Sequence, residues 1–433
     1  MRGIGKFFSS IIPLNYREDP YIKRELWKWF LIGLLIKFAF MPFTVFFQDI
    51  LAVNWRASLI VYHGIYWMGG IQIFVHYIHA FFLWIFKPLM PYFHSILNDP
   101  NMGTHCTWEM FETFVGNPYA FRTLFLFKVP YMLFDFGCML FLLNIFRDPK
   151  KGLRAFKFWA INPIVIFATY VAPRYECIVC FFILVSLYYA KKNSPSKSLF
   201  FLGVSIITRF YPLVLLPFFV IILGKNLREY IKLTFWGILP WVIIIILSKL
   251  FSTTIGPAEL MGMYHTNYLL SMRFLLGYAY DKIFVFVAIY TFFLLYVFFN
   301  TDHSFIDLCK NGLVVMLTLF ATCFFHAQYF MWLIPFLTLQ VAKDKRFTWL
   351  FVIQVLCYFV YISQQENRFA GLLFTPIDPK YFMSLPSPIE IINRYYPAGK
   401  FIGIFRSILT GVSFWMVYLI FKESSLKKRR KAA

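Results

Sequence analysis

Charge is what this chain has least of: only 14% of its 433 residues are charged, against about a quarter in a soluble domain. Acid is scarcer than base, with 20 Asp and Glu against 42 Lys and Arg. Cysteine is sparse too. Most of Cys106, Cys138, Cys177, Cys180, Cys309, Cys323 and Cys357 fall inside apolar runs, whereas a disulfide framework or a zinc ribbon places its cysteines in loops. The C-x-x-C of Cys177 and Cys180 lies in an apolar helix with no βαβ context, so both read as small buried residues and not as a redox pair. There is no low-complexity segment and no clear internal repeat. Residues 1–28 carry six basic groups and no small-residue cleavage site, which points to a retained first helix and not to a removable signal peptide.

Apolar residues are abundant. They make up 60% of the chain, aromatics 22%, and the mean hydropathy is +0.66. A soluble fold has no interior for so much apolar surface, and a spanning helix needs about 20 such residues. The composition therefore predicts an all-α polytopic membrane protein. The net charge of +22 suggests nucleic acid at first sight, but placement excludes it. Of the 42 basic residues, 27 lie in 1–28, 147–157, 191–197, 224–232, 301–310, 343–346 and 421–433, short segments that the positive-inside rule assigns to the cytoplasm. The basic excess reports orientation, and no nucleic-acid partner is expected.

Hydropathy and charge together predict 12 transmembrane helices, at about 30–48, 124–146, 157–172, 175–190, 198–208, 211–223, 231–250, 282–300, 311–326, 328–342, 347–362 and 401–421. This threading makes 1–433 a single transmembrane domain. It puts the 1–28 N-terminus and the basic 422–433 tail in the cytoplasm and leaves outer loops at 49–123, 251–281 and 363–399. The membrane is a plasma membrane in a prokaryote or the endoplasmic reticulum in a eukaryote. Within the first loop, "IQIFVHYIHAFFLWIF" (Ile71 to Phe86) reads as an interfacial helix. The pairs 198–208/211–223 and 311–326/328–342 are too short and too tightly joined for ordinary hairpins. They read as half-spans meeting at "ITRFYP" and "FFHAQYF", with Pro212 blocking a continuous helix. Broken backbone at membrane depth lines a cavity or is buried in protein.

Ionisable groups at that depth are costly and commonly functional. Asp49 closes the first apolar run, with Arg56 one helical repeat later. Arg174 and Glu176 mark the turn between two spans, Arg209 one half-span break, and His326, Gln328 and Tyr329 the other. The plain alternatives are a helix-end carboxylate at Asp49, a mutual cap for Arg174 and Glu176, and a span cap at His326. Asp135 reads as structural, paired with Lys128. His76 and His79 have metal-ligand spacing, but aromatic packing explains them better without a third ligand. Arg56, Arg273 and Arg368 are either solvated or phosphate clamps. Trp55, Tyr62 and Trp67 suit stacking on sugar faces, although interface anchoring is the default explanation.

The ordered set of Asp49 after the first span, "INPIVIFATYVAPRYECIVCFFILVSLYYA", "GVSIITRFYPLVLLPFF" and "FFHAQYFMWLIPF" resembles the GT-C superfamily of membrane glycosyltransferases. The pattern is nearest to the polyprenol-phosphate-mannose-dependent mannosyltransferases of the GPI mannosyltransferase I type. The likeness runs over roughly residues 30–345. It rests on Asn162-Pro163 opening a span, Glu176 at the hairpin turn, Arg209 before Phe210-Tyr211-Pro212, and His326, Gln328 and Tyr329 before Trp332 and Pro335. Where relatives often carry a second acid near the first, this chain has Gln48 before and Leu51 after Asp49. Where relatives commonly read Gly-Gln-x-Asp, it reads Pro-Arg-Tyr-Glu.

The resemblance implies a GT-C-like fold and transfer of a hexose, mannose or another, from a polyprenyl-phosphate donor to a lipid- or glycan-linked acceptor on the outer face, with inversion. Asp49 would be the catalytic base. Arg56, Arg174, Arg209 and Arg273 would bind phosphate, and Glu176, His326, Gln328 and Tyr329 would position substrate. No cofactor is called for, no metal site is assigned, and a divalent cation stays open. A multi-pass transporter or lipid flippase is the rival reading, and a structural subunit of a larger assembly is a third.

Overall fold

The computed structural model describes residues 13–66, 73–90, 108–251, 266–277, 280–365 and 369–432. These are predominantly helical, and four helices are long and apolar enough to cross a membrane: Ala120–Ile145, Leu227–Leu247, Phe305–Thr322 and Ala398–Lys422. Shorter apolar helices accompany them, among them Pro195–Thr208, Val285–Asn300 and Arg346–Ile362. The departure from an all-α chain is a small antiparallel hairpin, Arg273–Leu275 with Lys282–Phe284, in which Arg273 stands opposite Phe284.

Helix starts follow a local rule. Asp19-Pro20, Asp148-Pro149 and Asn162-Pro163 each place a capping side chain before a proline at the first helical position. Proline has no N–H to lose there, and the cap satisfies the amides that follow. Asp19 accepts from the Tyr21 and Ile22 amides at 2.9 and 3.3 Å, and Asn162 accepts from those of Ile164 and Val165 at 2.9 and 3.4 Å.

Three expected boundaries move, each for a reason visible in the chain. The first apolar helix runs Pro20–Phe40 and does not continue to 48. Pro42 cannot donate to the ladder and crowds the preceding turn, so the chain bends and a new helix, Phe47–His63, begins. Asp49 therefore stands in the first turn of a new helix instead of at the end of the first apolar helix. The expected span 157–172 is split into Pro149–Ala160, Pro163–Ile166 and a π-helical turn Phe167–Val171. Of the expected half-span 311–326, residues 311–322 are the C-terminal part of an 18-residue helix, Phe305–Thr322, started by the Ser304 cap, and 323–326 lie beyond its end.

Helices pack in sequence order around a common core: Ala120–Ile145 against Glu176–Lys191, that helix against Pro195–Thr208, and the last against Leu227–Phe251. Pro20–Phe40 crosses Pro149–Ala160 closely enough that a Cβ on Gly33 would lie 2.9 Å from the Ala160 carbonyl oxygen, the small-residue contact typical of apolar helix pairs. In the interior, Asp135 is fully buried. Its carboxylate meets Lys37 Nζ at 2.5 Å, Trp159 Nε1 at 2.7 Å and the Tyr170 hydroxyl at 2.8 Å. The expected Lys128–Asp135 pair is absent, and Lys37 takes that place from a different helix. Cys177 and Cys180 are buried free thiols, as their apolar setting implied.

Candidate functional site

Four interruptions of helical backbone converge on one cluster. The helix Phe47–His63 supplies Asp49 in its first turn. The turn after the π-helical segment supplies Arg174 and Tyr175, and Glu176 begins the next helix. Pro195–Thr208 stops at Arg209, whose backbone is extended at φ −154° and ψ 129°, before a 3-10 turn Tyr211–Leu215 containing Pro212. Phe305–Thr322 stops before Cys323, and the chain resumes as a 3-10 helix Ala327–Leu333 after an extended His326. The sequence breaks at "RFYP" and "FFHAQYF" thus deliver their polar side chains to one place.

The geometry is that of a shared charge network. Asp49 Oδ1 lies 3.2 Å from Arg174 Nε, and Asp49 Oδ2 accepts from Gln328 Nε2 at 3.1 Å. Glu176 Oε1 stands 3.6 Å from both Arg174 Nε and Arg209 Nε, and Glu176 Oε2 accepts from the Trp332 indole at 2.5 Å. Arg209 donates to the Tyr175 hydroxyl at 2.7 Å and to the Tyr329 hydroxyl. Its guanidinium sits 4.8 Å from the Tyr329 ring centroid, and that ring stacks on Trp332 at 4.6 Å. Glu176 and Arg209 are closed off at 0% and 2% exposure, whereas Asp49 and Arg174 keep 14% and 16%. The exposed edge of the network is therefore the Asp49–Arg174 pair.

Burial pushes the Asp49 carboxyl above the ordinary aspartate range, and the Arg174 and Arg209 guanidiniums pull it part of the way back. An acid displaced upward is a better proton acceptor than one in water.

Arg56 lies on the same helix as Asp49 and is within electrostatic reach of Arg174 and Tyr175. Its Nη1 stands 3.3 Å from His76 Nε2. Burial and the Arg56 charge hold His76 well below the usual imidazole range. His79 contacts the Val75 carbonyl at 2.7 Å and the Tyr131 hydroxyl at 2.9 Å, a packed histidine. Among the described residues, no group of three or more His, Cys, Asp and Glu has the placement to hold a metal ion.

The chain thus gathers Asp49, Arg174, Glu176, Arg209, Gln328 and Tyr329. His326 adjoins them, 5.2 Å from the Tyr329 ring centroid, with Nε2 3.2 Å from the Tyr268 hydroxyl. Arg273 is not brought in. It lies on an exposed strand, and no described contact joins it to the cluster. Tyr62 is engaged by Lys87 at 4.7 Å from its ring centroid. Arg368 and Trp67 lie outside the described residues.

Two participants escaped sequence reasoning, Tyr175 and Tyr268. Tyr175 had a usable signal, being flanked by Arg174 and Glu176. Tyr268 had none, since its partner His326 is far away in the chain. The Arg174–Glu176 mutual cap is only part of the arrangement, because Arg174 also holds Asp49 and Glu176 also holds Arg209. Comparison of the chain with protein-family models, with curated proteins and with solved structures gives no match.

Proposed function

We propose that the chain is a membrane glycosyltransferase of GT-C type that moves a hexose, such as mannose, from polyprenyl phosphate to a lipid- or glycan-linked acceptor at the outer face, with both termini cytoplasmic. The observation that carries this reading is the guanidinium pair Arg174 and Arg209 beside Asp49 and Glu176, with a further guanidinium, Arg56, within electrostatic reach of Arg174. A partly buried cationic excess favours an anionic ligand, and a planar guanidinium matches a phosphate.

In this reading Asp49 accepts the proton of the acceptor hydroxyl as that oxygen bonds to the anomeric carbon. The bond from the anomeric carbon to the donor phosphate oxygen breaks on the opposite face, and the electron pair leaves with the lipid phosphate. Arg174 and Arg56 stabilise the charge gathering on that phosphate. Arg209, locked between two tyrosine hydroxyls and Glu176, holds the turn in shape. Gln328 keeps Asp49 aimed, and in this reading His326, Tyr268 and Tyr329 contact the sugar.

The test is to incubate the purified chain with a panel of radiolabelled polyprenyl-phosphate sugars, hydroxyl acceptors and membrane lipid, and to look for transfer. Transfer that disappears in a folded Asp49→Asn variant supports the assignment. The broken helices at Arg209 and His326 also suit a transporter or flippase. No transfer from any donor, together with lipid or solute movement across reconstituted vesicles, would replace the first reading with that one.

A further inference from the structure

Lys128 is fully buried in the helix Ala120–Ile145, and among the described residues no carboxylate lies in ion-pair range of it. Its Nζ is held entirely by oxygens of neutral groups: the Thr44 carbonyl at 2.5 Å, the Thr44 hydroxyl at 3.0 Å, the Tyr170 carbonyl at 3.0 Å and the Phe40 carbonyl at 3.3 Å. Thr44 Oγ1 also lies 2.7 Å from both the Tyr170 and the Phe40 carbonyl oxygens. Burying a lysine side chain without a counter-ion is expensive, so what it holds together matters.

The acceptors come from two separate backbone segments, each leading into the site. Phe40 and Thr44 border the bend at Pro42, and Asp49 stands five positions after Thr44. Tyr170 belongs to the π-helical turn, and Arg174 stands four positions after it. In a regular α-helix the Arg174 amide would bond the Tyr170 carbonyl. Here the Ala172 amide bonds Phe167 at 2.8 Å and the Arg174 amide bonds Ala168 at 3.1 Å. That offset leaves the Tyr170 carbonyl open for Lys128, a use of π-turns seen at functional sites.

We infer that Lys128 is a positioning residue, a hydrogen-bonding brace that ties the bend carrying Asp49 to the turn carrying Arg174 and so sets the Asp49–Arg174 distance. Lys128 touches neither Asp49 nor Arg174 and acts through the two backbone segments. The inference rests on the proposed function only for its kinetic consequence, because the brace itself is geometric. The charged and titratable groups around Asp49 are Arg174, Arg209, Glu176 and Tyr131, and Lys128 is not among them. Lys37 and Asp135 lie on the far side of Tyr170, reached through its hydroxyl.

The test is Lys128→Met, which keeps most of the stem and removes the amine, with Thr44→Val as a milder second variant that removes one hydroxyl. The first readout is the protonation midpoint of Asp49, followed as the protonated-carboxyl infrared band that is missing in Asp49→Asn. Loosening Arg174 from Asp49 should raise this midpoint by about one pH unit in Lys128→Met and by less in Thr44→Val. A midpoint unchanged in a folded Lys128→Met protein overturns the brace, and Thr44→Val decides alone if that variant does not fold. The second readout is transfer: kcat falls about tenfold or more, with the donor KM within about twofold. If the unaltered chain transfers no sugar, the function proposed above fails, and the infrared shift still decides whether the brace exists.

Discussion

The interior acid Asp135 and the cluster acid Asp49 are both held by a basic side chain, yet they are built differently. Asp135 is sealed from solvent and receives three donors at 2.5–2.8 Å, from Lys37, Trp159 and Tyr170. Asp49 keeps 14% exposure and has partners at 3.2 and 3.1 Å. Its neighbour Glu176 faces two guanidiniums at 3.6 Å with no hydrogen bond on that oxygen. A fully coordinated buried acid has no capacity left for a ligand and can only hold helices together. A loosely held acid at an exposed edge can exchange a partner and accept a proton. Chemical type alone does not separate the two, but their coordination does.

The comparison can be broken most forcefully in the interior. Lys37→Met should cost about 3–5 kcal/mol of stability by stranding a buried carboxylate, while Lys37→Met with Asp135→Leu should recover most of that loss. Unfolding in detergent micelles reads both. If the single substitution is as stable as the double, Asp135 is not the structural partner described. Next comes Asp49→Asn, which should lower transfer at least about a hundredfold, roughly 2.7 kcal/mol at the transition state, with an unchanged unfolding midpoint.

A third expectation concerns pH. Asp49 must be ionised to accept a proton, so the rate should fall as pH drops through its pKa. Burial raises that pKa while Arg174 and Arg209 lower it, so Arg174→Gln should move the acid limb to higher pH. A limb that stays in place, or moves down, would separate Asp49 from the rate. The smallest effect is expected at Arg273, exposed on its strand. Arg273→Ala should leave transfer within about twofold, since an exposed charge away from the cluster is screened by water and salt. A large loss there would return Arg273 to the site.

Much of the site was legible because its residues are rare where they stand. An arginine, a glutamate or an aspartate in an apolar run is conspicuous, and Pro212 and the Asn162-Pro163 pair mark where helices stop. The same reading misplaced Asp49, because a continuous apolar run hides the bend that Pro42 makes at Phe40. It paired Asp135 with Lys128 because the two share a helix, whereas Lys37 reaches Asp135 from another. It placed Arg273 with the phosphate ligands on charge alone.

Composition by itself determined that this is a helical membrane chain, because apolar surface on this scale can be hidden only in lipid and in helix contacts. The order of polar residues along the chain also named most of the candidate site. Only the tertiary structure decided which acid is sealed and which is open, that Arg174 bridges Asp49 and Glu176, and that Lys128 grips the two backbones behind them. Local sequence sets helix starts and breaks through bonds a few residues long, but distances between side chains a hundred or more positions apart are set by how the helices pack.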